Sequence, residues 1–172
     1  MTAREPHECA NQDGYGNSPI PWERVLANIA DAPDSPDVTW FLGVIDPDGA
    51  PHAAGVGAIW NEGHPYFVSG PGTRKSKALA LHPTASLSGH LGDMDLVFEG
   101  SVVRVTDTPA LERIAAAYRD VGWPTQVAGD AFTAPYSAPA AGSPPYYLYR
   151  FEFHTVYGTA TKDPSGAMRW GF

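Results

Sequence analysis

The sequence predicts a mainly β protein, a six-stranded antiparallel barrel with a few peripheral helices. Three observations predict it. Six strand-like runs follow one another in hairpin order, separated by Gly, Pro, Asn and Asp turn residues. Helical periodicity is confined to short stretches before the first run, after the third and after the fifth. The runs are not joined by the regular helical crossovers that a parallel sheet needs.

Each element has its own warrant. Residues 1–20 are polar and carry Gly, Asn, Asp and Pro, so they are expected as a flexible tail before a single domain over 21–172. Pro21 suits a first helical turn, and Trp22, Val25, Leu26 and Ile29 then share one helix face, with Pro33 and Pro36 ending the helix. Residues 38–45 form the first strand, and Asp46-Pro47-Asp48-Gly49 turns the chain back. The returning strand, 51–60, is rich in Gly and Ala, which lets a flat group or another backbone approach closely. Asn61-Glu62-Gly63 makes the next turn, and 65–69 is the third strand. Gly70-Pro71-Gly72 breaks it, and a helix over 73–82 follows with Thr73 as N-cap and Pro83 as stop. Strands over 84–91 and 95–106 come next, with Glu99-Gly100 marking a bulge or bend in the second. A helix over 108–120 is capped by Thr108, has Pro109 in its first turn and sets Leu111, Ile114, Ala115 and Tyr118 on one face. Residues 122–145 are rich in Pro, Gly, Ala and Ser, and a segment that long in a compact domain carries function or is disordered; Trp123, Phe132 and Tyr136 argue against plain disorder. Residues 146–157 alternate as the last strand.

Composition excludes several classes. The formal charge of −8 argues against a general nucleic-acid binder. No apolar run is long enough to span a bilayer, and residues 1–20 lack the apolar stretch of a secretory signal, so the expectation is a cytoplasmic protein without membrane contact. The single cysteine, Cys9, rules out a disulfide within the chain. The six histidines show no metal-ligand spacing, and no Gly-x-Ser-x-Gly elbow is present. Asp93, Asp95 and Glu99 read as a solvated turn and strand start rather than a catalytic carboxylate pair.

Three of the 11 Lys and Arg residues, Arg74, Lys75 and Lys77, fall within four positions on this acidic chain. They open a helix, where unpaired backbone N–H groups and the positive dipole end attract an anion. Arg adds a two-pronged grip, and the Thr73 hydroxyl a further donor. The segment is neither a Walker loop nor a dinucleotide fingerprint, because both glycine spacings are absent. The expected anion is therefore the phosphate of a small ligand. Among the aromatics, Trp40 and Trp60 are expected in the core, and Trp123, Tyr136 and Trp170 as walls of a pocket for a planar molecule.

The ordered set Ser69, Thr73-Arg74-Lys75, His82-Pro83 and Ala85-Ser86-Leu87 resembles the pyridoxamine 5'-phosphate oxidase-like superfamily of flavin and deazaflavin oxidoreductases. The upstream turn at Asp48-Gly49, the strand Val97-Phe98-Glu99-Gly100-Ser101 and the closing Arg169-Trp170 match as well, so the likeness runs over about residues 20–172. The turn is most similar to an actinobacterial branch whose members use FMN or the deazaflavin coenzyme F420. The resemblance implies a split β-barrel of FMN-binding, Greek-key type, working as a homodimer with its cofactor at the interface. It implies cofactor binding by Ser69, Gly72, Thr73, Arg74, Lys75 and Lys77, with the Gly/Ala-rich stretch 53–58 leaving room for the ring. The vitamin B6 oxidase itself carries an Arg-x-x-x-x-Lys on its second strand, and the stretch around His52 to Ala58 has neither charge. The expected activity is therefore hydride transfer to a small planar unsaturated substrate, not pyridoxamine phosphate oxidation. The alternatives are a non-catalytic flavin or deazaflavin carrier and a tetrapyrrole binder.

Overall fold

The computed structural model describes residues 4–31 and 39–172. Pro33, Pro36 and Val38, invoked above for the end of the first helix and the start of the first strand, lie outside them. The elements in order are β1 (Glu8–Asn11), α1 (Trp22–Asp31), β2 (Trp40–Ile45), β3 (Pro51–Val56), β4 (Ala58–Asn61), β5 (His64–Ser69), α2 (Arg74–Leu81), β6 (Thr84–Leu91), β7 (Met94–Val105), α3 (Thr108–Asp120), β8 (Gln126–Ala128), β9 (Ala131–Thr133), a single 3₁₀ turn (Pro139–Ala141), β10 (Tyr147–Ala160) and β11 (Ala167–Gly171). No described helix is long and apolar enough to cross a membrane.

All strand pairs are antiparallel. The sheet runs β1-β11-β10-β7-β6-β2-β3, and β10 also pairs with β5, which pairs with β4. β10 is the spine: its first half meets β5 on one edge and β7 on the other, and its second half meets β11. Because β3 and β4 are one run of chain broken at Gly57, the path from β3 through β2, β6, β7, β10 and β5 returns to its start. The result is a split β-barrel filled by Leu42, Phe67, Leu87, Leu96, Phe98 and Phe151, all fully buried. A second apolar cluster packs α3, through Leu111, Ile114 and Tyr118, against Ile59, Tyr66, Phe132 and Leu148.

Four details differ from the sequence expectation. The returning strand is two strands: β3 pairs with β2, whereas β4 leaves it for β5. The bulge lies opposite Glu99-Gly100, not in it. Phe153 faces Gly100 and Thr155 faces Glu99, so His154 is the extra residue on β10. Gly100 is needed because a Cβ there would sit 2.1 Å from the Glu152 carbonyl oxygen. Asp107, not Thr108, caps α3, accepting from the Ala110 N–H at 3.0 Å.

The fourth difference is the N-terminal tail. Residues 8–11 are strand β1, paired with β11 from Glu8–Gly171 to Asn11–Met168. Arg4 lies over the rings of Phe153 and Phe172, and its carbonyl accepts from the Trp22 indole at 2.9 Å. Backbone pairing and two cation–π contacts thus hold a segment with no apolar pattern of its own.

Candidate functional site

The basic cluster sits at the start of α2, directly after β5. Thr73 caps the helix as expected, accepting from the Ser76 N–H at 3.2 Å with its own backbone extended. The same hydroxyl donates to the Gly70 carbonyl at 3.0 Å and lies 2.7 Å from the Ser69 hydroxyl, which is fully buried. With its one proton on Gly70 and its lone pairs on Ser76 and Ser69, the Thr73 hydroxyl is saturated. Ser69 and Thr73 therefore shape the turn, while the helix's first N–H groups, those of Arg74 and Lys75, have no intrahelical acceptor.

The three cations diverge. Arg74 turns to Asp46 at the end of β2, donating from Nε at 2.8 Å and, closer still, from Nη2 to the same carboxylate oxygen. That hydrogen bond holds the Asp46 carboxyl below its usual range and raises the Arg74 guanidinium. Asp46 is buried, and its other oxygen, Oδ1, has no partner among the described residues. Lys75 points the opposite way, into the protein. It is only 5% exposed, and its ammonium donates to the Ala140 carbonyl at 2.5 Å. No carboxylate of the described residues pairs with it, and burial pushes its pKa down. Lys77 is exposed and lines a different cleft, on the far side of α2. Gly72 is exposed at the turn, with nothing within 4 Å of where a Cβ would stand.

Lys75 lines a cavity of about 460 Å³ between the barrel mouth and the long segment after α3. Residues 55–59 form one wall, and Trp40, Val68 and Tyr118 line it further. Gly57 has nothing within 4 Å of where a Cβ would stand, so the Gly-rich crossing from β3 to β4 leaves open space there. Trp123 and Tyr136 close the outer side and fix each other: the indole donates to the Tyr136 carbonyl at 2.6 Å, and the Tyr136 hydroxyl donates to the Gly122 carbonyl at 3.2 Å. The Tyr118 hydroxyl is spent on the Tyr66 carbonyl at 3.3 Å, and burial raises its pKa.

The long segment is clasped onto the helix start. The Gly70 N–H donates to the Ala141 carbonyl at 2.7 Å, beside the Lys75–Ala140 bond. Gly142 follows with φ of +78°, and a Cβ there would lie 2.8 Å from the Thr73 methyl. Residues 139–142 thus lie across Lys75 as a strap.

Of the expected wall residues, Trp123 and Tyr136 line the cavity and Trp170 does not. Trp170 is 1% exposed and packs on Trp22 with ring centroids 5.4 Å apart, in the barrel core. β11 is paired on both edges, by β1 and β10, and its alternation turns Met168 and Trp170 inward. Trp40 is core, as expected, and also lines the cavity; Trp60 is half-buried against Trp40 and Phe98. Sequence reasoning missed Asp46, which looked like a turn residue, and the Ala140 carbonyl, whose role has no side-chain signal.

A split barrel with a cavity and a basic helix start at one mouth is the class these features define. The model of the pyridoxamine 5'-phosphate oxidase family matches residues 29–160, and the chain belongs to that family. Solved structures of similar fold include a conserved hypothetical protein of Mycobacterium tuberculosis, with 22% identity, a TM-score of 0.59 and coverage of 79% of this chain and 84% of that one. A NimC/NimA family protein of Clostridium acetobutylicum has 15% identity and a TM-score of 0.55, covering 87% and 91%. A pyridoxamine 5'-phosphate oxidase-related, FMN-binding protein of Nostoc punctiforme has 14% identity and a TM-score of 0.54, covering 90% and 98%. No curated protein matches in sequence.

Proposed function

We propose that the chain binds a flavin-type cofactor, FMN or coenzyme F420, and uses it to transfer hydride to a small planar unsaturated substrate. The observation that carries this reading is Lys75. An ammonium taken out of water needs a counter-charge, and the described residues supply only a carbonyl. An anionic group arriving at the cavity would supply it. The helix N–H groups of Arg74 and Lys75, the Lys75 ammonium and the one Arg74 nitrogen outside the Asp46 pair, Nη1, would hold a phosphate at the helix end, between the two diverging side chains. Gly57 leaves space for a flat ring, and Trp123 and Tyr136 offer aromatic surface beside it.

A flavin or deazaflavin bound there would supply the hydride chemistry itself. The chain's part is to bind, orient and shield. The strap over Lys75 and the Trp123–Tyr136 pair exclude water from the inner wall. The outer sheet face supports the homodimer that the resemblance implies: Phe41, Val97 and Tyr157 are exposed and fall on one cross-strand row, through Ser88.

A second reading, a cofactor carrier without catalysis, is favoured by one observation. The Tyr118 and Tyr136 hydroxyls in the cavity are both committed to backbone carbonyls, which leaves no free phenol among its wall residues. Titrating the purified protein with FMN and with F420, and then offering reduced cofactor a panel of enones, quinones and nitro compounds, separates the two. Saturable binding with turnover is the expected result. Binding without turnover selects the carrier, and no binding of either cofactor sinks both.

A further inference from the structure

Helix α2 has a second polar face that the cofactor reading leaves unused. Lys77 and Ser76 leave the helix towards a separate cleft of about 330 Å³ between α2, β7 and β10. Among the described residues the lining cations are Lys77 and Arg104, and none of the lining residues carries a carboxylate. Arg104 lies over the Tyr147 ring, 3.5 Å from its centroid. Its Nη2 donates to Asp130 at 2.6 Å, at a carboxylate 60% exposed to solvent.

Two polar atoms in this cleft are buried and lack a hydrogen-bond partner of normal geometry: Arg104 Nε and Ser76 Oγ. Ser76 is 5% exposed. The Tyr149 phenol is near enough to sense it, and burial raises the Tyr149 pKa, so that phenol stays a neutral hydroxyl. Ser76 Oγ has only the neutral Tyr149 phenol beside it and Arg104 Nε has no partner among the described residues, so an acceptor that carries charge would complete both. The remaining wall is apolar, through Leu79 and Val102.

We propose that this cleft is a second ligand site, for a small organic anion with a carboxylate or phosphate head. The head lies against Arg104 Nε, Lys77 and Ser76 Oγ, and an apolar or aromatic body covers Leu79 and Val102. The site is independent of the cavity at Lys75, since the two open on different sides of α2. It stands whether or not the cavity takes a flavin.

Backbone amide NMR of the full chain, titrated with phenyl phosphate and separately with benzoate, tests it. The expected result is saturable shifts at Ser76, Lys77, Arg104 and Tyr149. The head that saturates at lower concentration is the one the site takes. Lys77→Gln with Arg104→Gln should weaken that binding by roughly tenfold or more. FMN affinity should stay unchanged in Arg104→Gln alone. Lys77→Gln alone, at an exposed side chain, serves where the double variant fails to fold, with a loss of roughly threefold expected. The proposal is overturned by no saturable shift with either compound, by shifts confined to the Lys75 cavity, or by equal affinity in the variants.

Discussion

Two charged networks in this chain end in opposite states. Arg24, on α1, is fully used. It reaches the Asp93 carboxylate through Nε at 3.2 Å and Nη2 at 2.8 Å, the Pro164 carbonyl through Nη1 at 2.6 Å and the Lys162 carbonyl through Nη2 at 3.0 Å. Asp93 is satisfied too, with Asn28 donating to its second oxygen at 2.8 Å. At α2 the books do not close: among the described residues Asp46 Oδ1 has no partner, and Lys75 has no carboxylate. Buried polar groups are normally satisfied, so the first arrangement is what structure alone produces. The second is one that the proposed ligand would complete.

The largest effect expected from breaking this contrast is on the structural side. Arg24→Ala strips Asp93 of its cation and unties α1 from the turns around residues 93 and 163. A loss of about 2–3 kcal/mol follows from hydrogen bonds to charged groups. Melting should fall by roughly 4–12 °C for a domain of this size, with cofactor affinity unchanged. A loss of affinity as well would mean that the two networks are coupled.

Lys75→Met should do the reverse. Cofactor affinity falls by about 1.5–3 kcal/mol, or roughly 10- to 150-fold in a fluorescence titration. Melting of the unliganded protein should hold or rise, because an apolar side chain replaces a buried, unpaired charge. The pH dependence gives a further readout. Burial holds the Lys75 pKa below its ordinary 10.5, so between the two values the unfolded chain binds the extra proton. Stability of the unliganded protein then rises with pH through that window, and the Met variant loses that slope. A marked drop in melting for Lys75→Met would show that the Ala140 bond is structural and remove the main support for the cofactor site.

Much of this was legible in the sequence, for physical reasons. Hairpin turns, the Thr73 cap and the α3 face are local patterns, and the structure keeps them. The cation cluster was legible as an anion site, but not its divergence. Successive helix positions point about 100° apart, so Arg74 and Lys75 could not share one target unless it lay at the helix end. The docking of β1 and the burial of Trp170 depend on strand partners remote in sequence, Glu8 with Gly171 and Val156 with Trp170. The break at Gly57 was invisible for the same reason: β4 leaves β2 only because β5 offers it a partner.

The smallest effect tests whether Arg74 belongs to the ligand or to Asp46. In the wild type, the Arg74 hydrogen bond holds the Asp46 pKa below its ordinary 3.8. The pair's contribution to stability is therefore present above that value and lost as pH falls through the acid range. In Arg74→Ala, Asp46 stays buried without its cation, and burial alone raises a carboxyl pKa. The sign reverses, and the variant's deficit relative to wild type shrinks as acid neutralises the stranded carboxylate. Melting measured from neutral to acid pH should show the two curves converging. Cofactor affinity should fall less than in Lys75→Met, since only Nη1 of Arg74 lies outside the Asp46 pair. An equal fall, with parallel melting curves, would mean that Arg74 leaves Asp46 and grips the phosphate itself.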